Sequence, residues 1–433
     1  LFQIDNKILT KGCKNFTEIM RMSKDRKRIQ IHKSVNLHDF IDRFCHKLKI
    51  SENDQKKIKK LSKLCEELNL INDNTPPAMA SGCIYLYLQL NQIEIDNTMI
   101  DIDGTEEKKN IGANAILGVS LAILSASSQA EGIEIYQKIA SLIQEKNPVL
   151  LPVPMLNIMN GGAHAINSTD FQEFMIAPVG FGTFSESIRA GSEIYSTLGK
   201  ILEKDGLSTN VGFEGGYAPP NLSNNQVLDY IMKAIEKSGY KPGENIFIAL
   251  DPASSEFGNN SKYNLSKENL ELSSEEMIEY YSRLIKEYPI YSIEDGLSED
   301  DWTGWNKFTE KHGKEIQIVG DDLFVTQKKY LEKGINDKSA NSILIKFNQV
   351  GTISETIETI NYAIKNNFSS VISHRSGETE DTTIADLAVG TNAGQIKTGA
   401  PARSDRVAKY NRLLRIEEKL KDKATFAGKS ILF

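Results

Sequence analysis

Five short apolar segments between residues 246 and 374 place the strongest constraint on the fold of this chain. They span residues 246–251, 291–294, 316–321, 342–346 and 371–374, and a weaker sixth segment spans 394–397. Apolar, β-branched segments of this length predict strands that are buried on both faces. Segments with helical spacing lie between them, for example residues 274–285 and 354–364. The regular alternation of strand and helix predicts a (β/α) barrel.

Each of the six predicted strands ends on a residue that is able to do chemistry. These residues are Asp251, Glu294, Asp321, Lys346, His374 and Lys397. A single charged residue at a strand end is most often the start of a solvated loop. Six of them at corresponding positions favour an active site, because the carboxyl ends of barrel strands meet at one mouth.

Three of these residues predict a metal site. Asp251, Glu294 and Asp321 offer only oxygen ligands, which suit a hard cation such as Mg²⁺ better than zinc. Such a cation could stabilise an enolate while a lysine, with its pKa lowered by neighbouring cations, removes a proton. Lys346, beside Lys397, is the candidate base. The predicted chemistry is proton abstraction next to a carboxylate.

Several longer motifs resemble the enolase family, the glycolytic 2-phosphoglycerate dehydratases. They are Ser-Ile-Glu-Asp at 292–295, Gly-Asp-Asp-Leu at 320–323, Leu-Ile-Lys-Phe-Asn-Gln at 344–349, Ser-His-Arg-Ser-Gly-Glu-Thr-Glu-Asp at 373–381 and Gln-Ile-Lys-Thr-Gly-Ala-Pro-Ala-Arg-Ser at 395–404. The resemblance extends from about Asp103 to the C-terminus and does not include the first hundred residues. It implies an α/β protein in which a divergent capping domain, α+β or mostly helical, precedes an enolase-type (β/α)8 barrel. The three prolines between residues 148 and 154 mark the junction, so we predict a capping domain at 1–145 and a catalytic barrel at 146–433.

The resemblance also assigns roles to individual residues. Lys346 is the implied base, Glu214 is the implied proton donor with Glu173, and Asp251, Glu294 and Asp321 are the implied Mg²⁺ ligands. The implied substrate-binding residues are His164, His374, Arg375, Ser376 and Lys397. Arg375 suits a phosphate because a guanidinium can bind it bidentately. Glu173 lies within an apolar segment, where burial should raise its pKa. Arg403 and Arg406 are interpreted as structural.

Two features depart from the family. Phe213 stands where the family has an aspartate, which removes a like charge beside Glu214 and adds bulk. The mobile Ser-Gly-Ala-Ser-Thr loop, whose serine helps to bind a second Mg²⁺, has no counterpart. Ala-Ser-Gly-Cys at 80–83 lies too close to Asp103 to replace it. A second Mg²⁺ site would therefore lack a ligand, and the active site would lack part of its lid.

Composition and charge restrict the classes of protein further. The chain has 433 residues, of which 40% are hydrophobic and 25% are charged, and no apolar segment long enough to span a membrane without polar interruption. Residues 1–70 carry 17 Lys and Arg against 9 Asp and Glu, with basic runs at 24–28 and 56–60. These runs indicate a solvated helix face or a surface for an acidic partner, and they lack the interleaved aromatic residues of a nucleic-acid site. Cys13, Cys45, Cys65 and Cys83 lack metal-binding spacing, so we expect a reduced, cytoplasmic protein.

Three functions are compatible with these observations. The first is an enolase that converts 2-phosphoglycerate to phosphoenolpyruvate with Mg²⁺, as a homodimer if the capping domain permits. The second is an enolase-fold protein with weak or no activity that acts as a scaffold through its basic N-terminal region, which Phe213 and the missing serine loop favour. The third is another acid-sugar lyase or racemase of the superfamily. His374, Arg375, Ser376 and Lys397 in their enolase-like context argue against the third.

Overall fold

The computed structural model describes residues 36–67, 75–90, 95–145, 147–259 and 262–433. The described elements fall into two compact units, within residues 1–93 and 94–433. The predicted domain boundary between residues 145 and 146 stays a prediction. Cys13 and the basic run at 24–28 lie outside the described residues.

The first unit consists of helices in its described part. They are α1 (Leu37–Lys47), α2 (Glu52–Glu67) and α3 (Pro76–Leu90). Asn36 caps α1, since its side chain accepts a hydrogen bond from the backbone N–H of Asp39. The predicted amphipathic helix is confirmed in α2, which buries Ile58 and Cys65. The Ala-Ser-Gly-Cys string at 80–83 lies inside α3, so it forms helix and not a loop.

The second unit begins with α4 (Ile95–Asp103), α5 (Ala113–Glu131) and α6 (Ile135–Ile143). Its remaining helices are α7 (Phe184–Lys204), α8 (Asn224–Lys237), α9 (Ser274–Glu287), α10 (Trp302–His312), α11 (Lys328–Asp337), α12 (Phe347–Val350), α13 (Ile353–Lys365), α14 (Thr383–Gly390) and α15 (Ser404–Leu420). No helix within the described residues is long and apolar enough to cross a lipid bilayer.

Eight strands of this unit close into a barrel. In chain order the strands are β1 (Leu150–Leu151), β2 (Val153–Asn160), β3 (Glu173–Pro178), β4 (Ile246–Asp251), β5 (Gly258–Asn259), β6 (Lys262–Leu265), β7 (Leu270–Ser273), β8 (Ile290–Glu294), β9 (Gln317–Gly320), β10 (Ser342–Ile345), β11 (Ser369–Ser373), β12 (Gln395–Gly399) and β13 (Thr425–Phe426). The barrel order is β10-β11-β12-β2-β3-β4-β8-β9. β1 pairs with β13, and β5, β6 and β7 form a small sheet.

One strand of the barrel, β3, runs in the opposite direction to its neighbours. β3 is antiparallel to both β2 and β4, whereas the other neighbouring strands are parallel. Only a short 3₁₀ turn, Gly162–His164, lies between β2 and β3. No crossover helix carries the chain back, and a parallel pair needs one. As a result, Glu173 at the start of β3 pairs with Asp251 at the end of β4.

Apolar side chains fill the barrel interior and the layer beneath the helices. Val153, Met175, Ala249, Leu344 and Val371 are buried in one interior cluster. A larger cluster joins the outer faces of the strands to the surrounding helices. Interiors packed in this way hold the backbone firmly, so the strand ends are fixed positions for functional side chains.

Candidate active site

The residues predicted at strand ends meet at one end of the barrel. Asp251 and Glu294 are the last residues of β4 and β8, and Asp321, Lys346 and His374 directly follow β9, β10 and β11. Lys397 lies within β12, two residues before its end. Because these strands are parallel, their carboxyl ends share one mouth.

Lysines neutralise the carboxylates on one side of the mouth. Lys397 Nζ lies 2.7 Å from Asp251 Oδ2 and 2.8 Å from Glu294 Oε1. It also lies 3.4 Å from Glu173 Oε1. Lys346 Nζ forms an ion pair with Asp321 Oδ2. The predicted metal triad is therefore brought to one mouth, but each member is paired with an ammonium group.

The pKa of Lys346 differs from the sequence prediction. Burial by itself lowers this pKa, but the carboxylates of Asp321 and Glu294 outweigh burial and raise it. This direction is opposite to the lowering that the sequence predicts for a lysine beside other cations. Lys397 does oppose the carboxylates, yet its effect is smaller than theirs.

Carboxylate oxygens suit a hard divalent cation, but Asp251, Glu294 and Asp321 are not among the groups of described residues whose ligand atoms lie within 4.8 Å of one another. Glu294 Oε2 is buried and has no hydrogen-bond partner among the described residues. This oxygen could therefore bind a cation without breaking a hydrogen bond. A second acidic group, Asp295, Asp321 and Asp322, has oxygens within 4.8 Å of one another. Asp295 in that group already accepts the backbone N–H groups of Asp321 and Asp322. The mouth thus holds acidic clusters of the kind that bind Mg²⁺.

The opposite side of the mouth joins His164, Glu173 and Glu214. Potential ligand or proton-transfer atoms of these three side chains lie within 4.8 Å of one another. His164 Nδ1 and Glu214 Oε1 approach to 2.8 Å as an ion pair, without the geometry of a good hydrogen bond. Burial raises the pKa of Glu173 to about 7, against the opposing charge of Lys397, which agrees with the rise expected from its apolar segment.

Two asparagines hold these carboxyl groups, and sequence reasoning missed both. Asn157 Nδ2 donates to Glu173 Oε2 at 3.0 Å, and Asn160 Nδ2 donates to Glu214 Oε2 at 2.6 Å. Positions three apart on a regular strand face opposite sides. The pairing with β3 shifts between Asn157 and Met159, which brings both amides to the same side. The available signal in the sequence was the presence of two asparagines within the apolar segment 153–160.

Phe213 is exposed and lies beside His164 of the carboxyl cluster. Its side chain is 54% exposed, whereas Glu214 is fully buried. The ring centres of Phe213 and His164 are 5.7 Å apart. The Glu214 backbone is anchored separately, since its carbonyl accepts from the Ala400 N–H at 2.8 Å. With Phe213 beside it, Glu214 is therefore still buried and bonded to Asn160.

The predicted phosphate-binding residues form a loop after β11. His374 is buried, and Arg375 and Ser376 are exposed at the mouth. Burial, and then the charge of Arg406, hold the pKa of His374 well below its usual range, so the imidazole is neutral. Arg406 and Lys409 of α15 lie buried against this loop. Arg406, which the sequence indicates to be structural, therefore supports the loop that carries Arg375 and Ser376.

Comparison with protein families covers both parts of the chain. Residues 148–433 match the family described as "Enolase, C-terminal TIM barrel domain". Residues 49–139 match "Enolase, N-terminal domain". The family match therefore begins at residue 49, about fifty residues before Asp103, so the expectation that it excludes the first hundred residues was wrong for residues 49–100. With both domains matched over most of its length, the chain belongs to the enolase family.

Proposed function

We propose that this protein is a Mg²⁺-dependent enolase that removes water from 2-phosphoglycerate to give phosphoenolpyruvate. The observation that carries the proposal is the position of Glu214. It is fully buried and held by Asn160, across the mouth from Lys346, although Phe213 precedes it. A base and an acid thus stand on opposite sides of one mouth, as a dehydration requires.

Lys346 is the proposed base, which would take the proton from the carbon next to the substrate carboxylate. Asp321 and Glu294 raise the pKa of Lys346 and so favour its protonated form. If these two charges were neutralised, the pKa of Lys346 would fall and the amine could accept a proton. Asp251, Glu294 and Asp321 are the proposed ligands of one Mg²⁺. When bound, this ion supplies positive charge that stabilises an enolate-like substrate.

Glu214 is the proposed acid, and Glu173 assists it. A carboxyl group must hold a proton to release a hydroxyl as water, and at neutral pH an ordinary glutamate does not. Burial raises the pKa of Glu173 to about 7, which keeps a proton within the cluster of His164, Glu173 and Glu214. Asn157 and Asn160 would hold the two carboxyl groups toward the departing hydroxyl.

Arg375, Ser376 and His374 are the proposed phosphate-binding residues, with His164 and Lys397 completing the substrate pocket. Arg375 and Ser376 are exposed at the mouth, and a guanidinium suits a phosphate. We also propose a cytoplasmic location, because the described thiols Cys45, Cys65 and Cys83 are all free. A homodimer is proposed from family membership, and sedimentation would test it.

The test is a coupled assay of phosphoenolpyruvate formation from 2-phosphoglycerate across a Mg²⁺ series. We expect turnover that rises with Mg²⁺ and disappears with a chelator. No turnover by folded protein at saturating Mg²⁺ would overturn the proposal. That result would favour the scaffold alternative, whose basic run at 24–28 lies outside the described residues.

A further inference from the structure

Arg406, near the start of α15, is a fully buried charge that touches two functional loops. Its Nη1 lies 2.5 Å from His374 Nδ1 and donates to the Arg375 carbonyl at 2.8 Å. Its Nη2 donates to the Ser376 carbonyl at 2.7 Å and to the Phe213 carbonyl at 3.1 Å. One guanidinium therefore joins the loop after β11 to the loop that carries Glu214.

The contact with His374 fixes where the imidazole proton lies. A guanidinium has only donors and keeps its charge in proteins, so Nδ1 of His374 must be the acceptor. A neutral imidazole carries one proton, which then lies on Nε2. No described residue hydrogen-bonds Nε2. The ring is thus left with one donor for a ligand.

The Arg406 side chain fits here because residue 399 is a glycine and because an acidic group lies beside the guanidinium. A Cβ atom on Gly399 would come within 2.7 Å of Arg406 Cδ and 2.9 Å of the Glu214 carbonyl oxygen. Gly399 also has a φ of 94°, which favours glycine. Asp405 Oδ2 lies 3.0 Å from Arg406 Nε and balances the buried charge.

We propose that Arg406 is a positioning residue that fixes His374 as the Nε2–H tautomer and ties it to the Glu214 loop. The neutral imidazole then donates Nε2–H to an anionic group in the mouth. The effect on turnover rests on the proposed function, whereas the tautomer does not depend on it.

The experiment is nitrogen NMR of the full-length protein labelled with ¹⁵N-histidine, which distinguishes a protonated from an unprotonated ring nitrogen. The chain has six histidines, and His374→Gln identifies the signal of His374. We expect Nε2–H in the unaltered protein and in Arg406→Lys, which keeps a cationic donor. In Arg406→Met, which has no donor, we expect a signal from Nδ1–H.

Arg403→Met is the matched control, because Arg403 loses the same charge at a half-exposed position on the same helix start. It should leave the His374 signal unchanged. Nδ1–H in the unaltered protein would overturn the proposal, and so would an unchanged tautomer in folded Arg406→Met. If Arg406→Met does not fold, Nδ1–H in Arg406→Lys would overturn it equally.

Turnover supplies a second readout. We expect Arg406→Lys to lower kcat/KM for 2-phosphoglycerate by about ten- to a hundredfold, the range for losing groups that orient an active residue, because one ammonium group cannot replace both guanidinium nitrogens that join the two loops. A protein without turnover would contradict the proposed function and leave the NMR result to decide the role of Arg406. Full turnover in Arg406→Lys would contradict the coupling of the two loops.

Discussion

The two sides of the barrel mouth hold their carboxyl groups by different means. On the side of His164, each carboxyl group accepts a hydrogen bond from an amide, Asn157 for Glu173 and Asn160 for Glu214, and Glu173 Oε1 also lies 3.4 Å from Lys397 Nζ. On the opposite side, ammonium groups do so: Lys397 bridges Asp251 and Glu294, and Lys346 binds Asp321. Burial raises the pKa of Glu173 on the first side, and on the second side Lys346 outweighs burial and lowers the pKa of Asp321, whereas burial raises the pKa of Glu294 despite Lys397.

This difference indicates how one barrel mouth could both donate a proton and bind a cation. An acid needs a raised pKa, and burial beside an amide supplies it. A cation site needs charged oxygens, and a buried carboxylate stays charged only when it is paired. We call the first set the acid side (His164, Glu173 and Glu214) and the second the cation side (Asp251, Glu294, Asp321, Lys346 and Lys397).

The largest expected effect is on the cation side. Lys346→Ala should lower turnover by about 10²- to 10⁴-fold, the range for losing a general base. Folding and Mg²⁺ binding should persist, because the three carboxylates remain. Turnover and calorimetric Mg²⁺ titration measure both. Lys262→Ala, at an exposed ion pair, is the control and should be fully active, and an active Lys346→Ala would remove Lys346 as the base.

Lys397→Met tests whether the ammonium group holds the cation side together. The side chain is 3% exposed, so its loss leaves buried carboxylates unpaired and should cost about 3–5 kcal/mol of unfolding free energy. Urea unfolding in a chelator measures this, and added Mg²⁺ should recover part of the loss. Lys328→Met, at an exposed pair with Glu358, should cost less than about 1 kcal/mol. Equal losses in the two variants would contradict the comparison.

Glu173→Gln tests the acid side through the pH dependence of stability. The pKa of Glu173 rises from its ordinary 4.5 to about 7 on folding. The folded state therefore binds the proton more tightly, and its stability falls as pH rises between these values. The variant does not lose stability in this way. Relative to the unaltered protein, its free energy of unfolding should therefore increase between pH 4.5 and 7 by about 3 kcal/mol, at about 1.4 kcal/mol per pKa unit.

Urea unfolding in a chelator at several pH values measures the difference between the two proteins. Glu271→Gln, at an exposed site, is the control and should show no such trend. An advantage of Glu173→Gln that shrinks with rising pH would show that Glu173 is ionised more readily in the folded state, which contradicts the acid side as described.

The smallest expected effect is at Phe213. Phe213→Asp should change turnover by no more than about twofold, since substitutions of exposed side chains alter free energies by about 0.5 kcal/mol. The side chain is 54% exposed and Glu214 is held by other groups. Steady-state turnover measures it. A tenfold increase would show that Phe213 disturbs Glu214, and the departure from the family would then matter.

The sequence predicted the parallel part of the barrel well, because six strands carry, at or beside their carboxyl ends, residues whose chemistry marks the mouth. It did not predict the direction of β3, since a buried apolar strand has the same pattern in either direction. That direction explains why Glu173, at a strand start, joins residues from strand ends. The bulge that aligns Asn157 with Asn160 leaves no periodic signal either. The spacing of residues along the sequence also cannot show which carboxylates pair with Lys397, because that depends on the positions of the side chains.

The division of labour between the two sides can be measured directly by deuterium exchange. In D₂O with Mg²⁺, proton NMR of 2-phosphoglycerate follows loss of the proton next to the carboxylate, separately from dehydration. Glu214→Gln should exchange this proton without forming phosphoenolpyruvate, because the base remains and the acid is gone. Lys346→Ala should do neither. Exchange by Lys346→Ala, or full dehydration by Glu214→Gln, would contradict the assignment of base and acid to opposite sides of the mouth.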